Sequence, residues 1–336
     1  MIDTHTHVVP NGLPFGNFTD PRWPSVVIDA GGRGAVMMAG KVFRTVRDVS
    51  WDLDVRVDEM GRSGVDTQVL SPMPELMLTW APPADAARYA EGMNTWLADA
   101  VRDNPGRFEA FGIVPIQNVE SATRMLADVR AMGLRGVMLP TNVEGVSLAD
   151  PRFKEFYLEA SALELCVFVH AFHPSYGGQL SPGRNKAAVT FPIEIGYYVS
   201  AMVLNNMLVR GLRLLVSHGG GSAPHVLDRL AWVWSNDEAL RESMPIPPME
   251  QLKQIYYDSL TFSSRSLAHL GEIVGFDRIV LGSDYPFLNA APGFNLDSLS
   301  AENLTRVHES NACDFLGISP TRRTDSDALP LPEGIS

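Results

Sequence analysis

Short apolar runs alternate with longer amphipathic segments along this chain, and no other feature narrows its fold so far. Eight such runs occur: MIDTHTHVV (1–9), DTQVLSPM (66–73), FEAFGIVPI (108–116), GVMLPT (136–141), CVFVHA (166–171), LRLLVSH (212–218), QIYYDSL (254–260) and RIVLGSD (278–284). Between them, AARYAEGMNTWLADAVRD (86–103), VESATRMLADVRAM (119–132) and DPRFKEFYLEASAL (150–163) repeat apolar residues at spacings of three and four, the period of a helix with one buried face. Asp150 followed by Pro151 reads as a helix start, an N-cap with proline in the first turn. Strands separated by helices pair in parallel through crossovers. Eight of them predict a closed α/β fold, the (β/α)8 TIM barrel, with an open doubly wound sheet as the alternative.

A chain of 336 residues suits one such barrel, expected over 1–317. The segment 10–50 breaks the rhythm with VPNGLPFGNFTDPRWP and AGGRGAVMMAGK. It reads as an inserted cap after the first strand, placed to roof the C-terminal mouth of a barrel. The polar tail 318–336 is expected to be disordered. A net charge of −12 argues against nucleic acid or an anionic membrane as partner, since both need basic surface. It leaves room for an acidic small molecule, which a few local arginines can hold. No run of about 18 apolar residues occurs, so no membrane span is expected. The two cysteines, Cys166 and Cys313, form no disulfide or zinc-cluster pattern and suit a reducing compartment; Cys166, inside ELCVFVH, reads as a buried thiol. Histidines at work this near the start leave no room for a removable signal peptide, so a cytoplasmic location is expected.

Those histidines are His5 and His7. Residues two apart on a strand share one face, so both imidazoles point the same way. In a parallel barrel every strand ends at one mouth, where active sites sit. His170 closes the fifth run, His218 the sixth and Asp284 the eighth, so five distant side chains are expected on one rim. Imidazole nitrogens and a carboxylate oxygen are the ligands that Zn²⁺ accepts. His225, His269 and His308 fall in helical segments and read as packing or solvated residues; His173, three past His170, is a further pocket candidate.

DTHTH, FVHA, SHGGG and GSDYPF, in that order, resemble the amidohydrolase superfamily and its decarboxylase branch, typified by the 2-amino-3-carboxymuconate-6-semialdehyde (ACMS) decarboxylases. The resemblance runs from residue 1 to about 317 and includes GKVFRTVRDVSWDLDVRVDEM (40–60), within which Lys41 and Trp51 also match. It implies that His5, His7, His170 and Asp284 hold one divalent metal, with Zn²⁺ first and Mn²⁺, Fe²⁺ or Co²⁺ accepted by the same ligands. It makes His218 the catalytic acid/base, with Asp284 orienting the proton transfer. The fourth run, GVMLPTN, carries neither lysine nor glutamate to bridge a second metal. Arg44 matches a residue that contacts a substrate carboxylate. Arg229, eleven residues after His218, matches one that reaches the neighbouring subunit's site, which implies a homodimer. The stretch 170–196 departs from the family by lacking tryptophans; Phe172, Tyr176 and Phe191 offer a different aromatic wall or simply core.

The expected activity is non-oxidative decarboxylation of a cyclic or unsaturated carboxylic acid, ACMS-like or aromatic. A cation there serves as electron sink or activates water, and the residues alone leave both open. The alternative is a hydrolase (a lactonase) or hydratase on the same site. A pure binding module fits least, because structural zinc is usually closed in by four ligands that include cysteine.

Overall fold

A computed structural model, describing residues 1–172, 185–288 and 291–319, places each of the eight apolar runs in a strand of one parallel sheet. After β1 (Ile2–Val8) the chain forms a separate antiparallel sheet of β2 (Ser25–Ile28), β3 (Gly34–Met38) and β4 (Lys41–Val46). The main sheet resumes with β5 (Thr67–Pro72), β6 (Phe108–Gly112) and β7 (Gly136–Pro140). A small hairpin, β8 (Asn142–Val143) and β9 (Val146–Ser147), precedes β10 (Cys166–His170), β11 (Arg213–Val216), β12 (Tyr256–Asp258) and β13 (Ile279–Val280). β1, β5, β7 and β10 are buried at every position, as strands covered on both faces must be.

The neighbours run β1-β5-β6-β7-β10-β11-β12-β13, and the two ends then meet. Thr4 N donates to Leu281 O at 2.8 Å, Asp284 N to His5 O at 2.9 Å and His7 N to Tyr285 O at 2.7 Å. A parallel bridge joins Thr6 to Tyr285. The sheet is therefore a closed barrel, as the alternation of runs predicts.

The expected helices form as α2 (Pro83–Asp103), α3 (Val119–Ala131) and α4 (Lys154–Ala162). Asp150 does cap its turn, accepting from Arg152 N, but a 3-10 turn over Pro151–Phe153 comes before α4. α1 (Leu53–Ser63) has no counterpart among the expected helices; Asp52 caps its start and Gly64, at φ 71°, ends it. Two further helices matter for the site, α5 (Asn185–Leu204) and α6 (Ala223–Asn236). Among the described residues, only α5 is long and apolar enough to cross a membrane by length and composition, and it packs into the barrel's shell against α6.

The segment read as a cap is a three-stranded sheet turned by Ala39 and Gly40, both at positive φ as a two-residue hairpin requires. Val36 and Val46 are buried beneath it, while Val27 and Val42 face outward. Trp51 packs where a Gly34 Cβ would stand, and Lys41 is exposed. Cys166 is buried, donates to Phe315 O at 3.1 Å, and has its thiol pushed up to about 12 by burial, which makes it a packing residue. His173, Tyr176 and the tail from residue 320 lie outside the described residues.

Candidate active site

Four of the expected side chains converge. One ligand atom each from His5, His7, His170 and Asp284 lies within 4.8 Å of all the others. β1 supplies the first two on one face, and β10 ends on the third. Asp284 lies four residues beyond β13 and His218 two beyond β11, so neither closes a strand as the sequence reading expected. The reason is backbone: His218 (φ 55°) and Asp284 (φ 58°) are both left-handed, a conformation a strand cannot contain. Such outliers cluster where a side chain must be held at one angle.

The hydrogen bonds around the three imidazoles decide where their protons are. His7 Nδ1 donates to Pro72 O at 3.0 Å and His170 Nδ1 to Ala171 O at 2.7 Å, and a carbonyl can only accept. His5 Nδ1 donates to the buried Asp258 Oδ2 at 2.6 Å. In the neutral rings each Nε2 is then a bare lone pair. His170 Nε2 is buried and has no hydrogen-bond partner among the described residues. His5 Nε2 and His7 Nε2 lie 3.2 Å apart, and Asp284 Oδ1 is 3.1 Å from the latter. Four electron-rich atoms facing one another repel unless a positive charge stands between them. The set fits a divalent cation, whose ligands at about 2.0–2.2 Å take such mutual spacings, and the outward Nδ1 bonds are the kind that orient metal-bound imidazoles.

Burial pushes His7 down and His170 well down, which keeps both rings neutral and available as donors. His218 is half-buried beside the cluster, its ring centroid 5.2 Å from His170 and 5.5 Å from His5. Its Nδ1 pairs with Ser217 Oγ at 2.8 Å, and among the described residues no hydrogen bond reaches its Nε2. Burial lowers it to about 4, so the free imidazole is a base at neutral pH.

Phe287 stacks on His7 at 5.4 Å, and the Arg44 guanidinium sits 4.4 Å from the Phe287 centroid. Arg44 thus reaches from the inserted sheet to the edge of the site. Phe191 lies 5.8 Å from His218 and forms part of the wall, whereas Phe172 packs on the core. Arg229 is exposed on α6. His225 and His269 stack on each other at 4.6 Å, away from the cluster, and His308 is half-buried in an outer helix. Two buried groups escaped the sequence reading: Asp258, and Arg56 on α1, which donates to His7 O at 2.9 Å. Asp258 ends its strand at the same mouth, a signal that could have found it.

The amidohydrolase family model matches residues 2–318. This chain belongs to the amidohydrolase family. It is 30% identical over 334 residues to the 2-amino-3-carboxymuconate-6-semialdehyde decarboxylase of Dictyostelium discoideum, covering 96% of this chain and 92% of the relative. Its fold is shared with the IDCase of Metarhizium anisopliae (TM-score 0.77, 22% identity, 94% and 96% of the two chains). It is shared also with a dihydroxybenzoic acid decarboxylase from Polaromonas with bound manganese (TM-score 0.70, 20% identity, 84% and 90%). The expected barrel and family are borne out, and so, at the level of enzyme class, is the reading as a carboxy-lyase.

Proposed function

We propose that this protein is a metal-dependent, non-oxidative decarboxylase of a cyclic or unsaturated carboxylic acid, with His218 as its acid/base. The observation that carries the reading is the convergence of ligand atoms from His5, His7, His170 and Asp284 within 4.8 Å of one another, beside a histidine that is not part of the set. His5, His7, His170 and Asp284 are the proposed ligands. Their nitrogen-rich set suits Zn²⁺, and the manganese of the Polaromonas relative makes Mn²⁺ the second choice. A cation held by these four residues would supply Lewis acidity toward a substrate oxygen.

The chain's own residues do the rest. Arg44 binds the substrate carboxylate and leaves the face of Phe287 to do so. A bound anion beside His218 raises its pKa, so the ring takes up a proton at Nε2. Nε2 then delivers that proton to the carbon whose bond to the carboxylate breaks. Phe191 and Phe287 keep water from the carbon. The Dictyostelium relative supports an ACMS-like acid and the Polaromonas one an aromatic acid.

Stripping the protein with a chelator and reloading it with Zn²⁺ or Mn²⁺ tests this reading. CO₂ release from ACMS or a dihydroxybenzoate is expected to vanish on stripping and return on reloading. Hydrolysis of a lactone with no CO₂ from any acid would replace the decarboxylase by a hydrolase.

Arg229 completes the site across a homodimer in this proposal. It stands in an exposed apolar stripe of α6 with Val226, Trp232 and Val233, beside the exposed Ile193 and Tyr197 of α5. Mixing two inactive variants, His218→Ala and Arg229→Ala, distinguishes the arrangements. Random pairing through a two-fold interface should restore about a quarter of wild-type activity if the arginine works across it. No recovery would place Arg229 outside the partner's site.

A further inference from the structure

Asp258 ends β12 with its carboxylate fully buried, and no step of the proposed reaction uses it. Its Oδ2 accepts from His5 Nδ1 at 2.6 Å and from the His218 amide at 2.9 Å. Its Oδ1 accepts from the Gly219 amide at 2.8 Å and the Leu260 amide at 3.1 Å. Four donors thus converge on one carboxylate, from β1, from the turn after β11 and from its own loop. Gly282 leaves the pair no slack, since a Cβ there would stand 2.7 Å from Asp258 Cβ and 2.9 Å from His5 Cβ.

We infer that Asp258 is a positioning residue that holds His5 in its Nδ1–H tautomer, aims the Nε2 lone pair at the cation, and ties the His218 turn to the same carboxylate. His7 and His170 give their Nδ1 protons to main-chain carbonyls, which no side-chain substitution removes. His7 Nδ1 has Ser71 Oγ at 3.1 Å besides its carbonyl, and His5 alone of the three has a carboxylate as its Nδ1 partner. The inference rests on the metal reading above for its link to activity, but the tautomer itself does not.

An amide in place of the carboxylate exposes the device. In Asp258→Asn one oxygen becomes an NH₂, which cannot face a donor. At the Oδ1 position it would meet two main-chain N–H groups that cannot invert. At the Oδ2 position it meets one main-chain N–H and one imidazole, and the imidazole can shift its proton. His5 then accepts at Nδ1 and carries its proton on Nε2, where the lone pair for the cation had been.

Nitrogen-15 NMR of the metal-stripped protein at about pH 9, above the ordinary imidazole range, reads the tautomer directly. Wild type should show His5 protonated at Nδ1, and Asp258→Asn should show it protonated at Nε2. Competition with a chelator should show Mn²⁺ and Zn²⁺ bound about 10- to 100-fold more weakly by the variant. A wild-type His5 bare at Nδ1 overturns the inference, even if the variant fails to fold. So does a folded variant that keeps both the tautomer and the affinity. Wild-type protein that takes up neither metal sinks the functional reading instead, and the tautomer spectrum still decides the role of Asp258.

Discussion

Protein carrying His218→Ala should bind its cation as tightly as wild type and turn over on the order of 10²–10⁴-fold more slowly, the range set by a lost general acid/base. The two halves of that result have separate causes. Metal retention follows because His218 is not one of the four groups whose ligand atoms meet within 4.8 Å. Loss of turnover follows because its Nε2, beside that cluster, has no hydrogen bond among the described residues, with Nδ1 occupied by Ser217 Oγ. Metal content by elemental analysis and CO₂ release by a coupled assay check the halves independently. A variant turning over within a few-fold of wild type removes His218 from the chemistry, and one that loses its metal makes it a ligand.

A single methyl group at Gly221 should be nearly as damaging, through the fold. The SHGGG run takes positive φ at four successive residues, from His218 (55°) through Gly219, Gly220 and Gly221 (59°, 72° and 56°). Gly221 combines its φ with ψ −121°, a conformation open only to glycine. A Cβ there would stand 2.0 Å from Pro192 O and 2.7 Å from Pro192 C, main-chain atoms of α5 that cannot swing aside. The same Pro192 carbonyl accepts from Ser222 N at 2.9 Å, so α5 and the turn are fastened together. Gly221→Ala therefore costs on the order of 3 kcal/mol or more, backbone strain and overpacking combined. Urea denaturation measures it directly. A midpoint unchanged from wild type would mean that α5 does not press on this turn.

The barrel was legible because its cause is a repeat: eight apolar runs at crossover distance leave little else for the chain to do. The H-x-H pair was legible for a similar reason, since a period of two puts both rings on one face whatever surrounds them. His218 and Asp284 were found for their motifs but placed at strand ends, which they are not. Positive φ leaves no mark in an apolar pattern, although three glycines after His218 hint at it. α1 escaped because its mean character is polar; what specifies it is a cap at Asp52 and a stop at Gly64. Asp258 was passed over because its one signal is its place at the end of a strand, with no motif around it. Its role exists only once β1 and the turn after β11 lie beside it. Arg229 shows the same limit from outside, because one chain's sequence does not say where a second chain lies.

Closure of the sheet by its two ends has a bearing on biosynthesis. The main-chain bonds that join His5 and His7 to Asp284 and Tyr285 tie the first strand of the barrel to the loop after its last. A growing polypeptide therefore carries His5 and His7 through synthesis of the rest of the barrel without the Asp284 carboxylate beside them. With the ion held as proposed above, its uptake would wait for completion of the barrel.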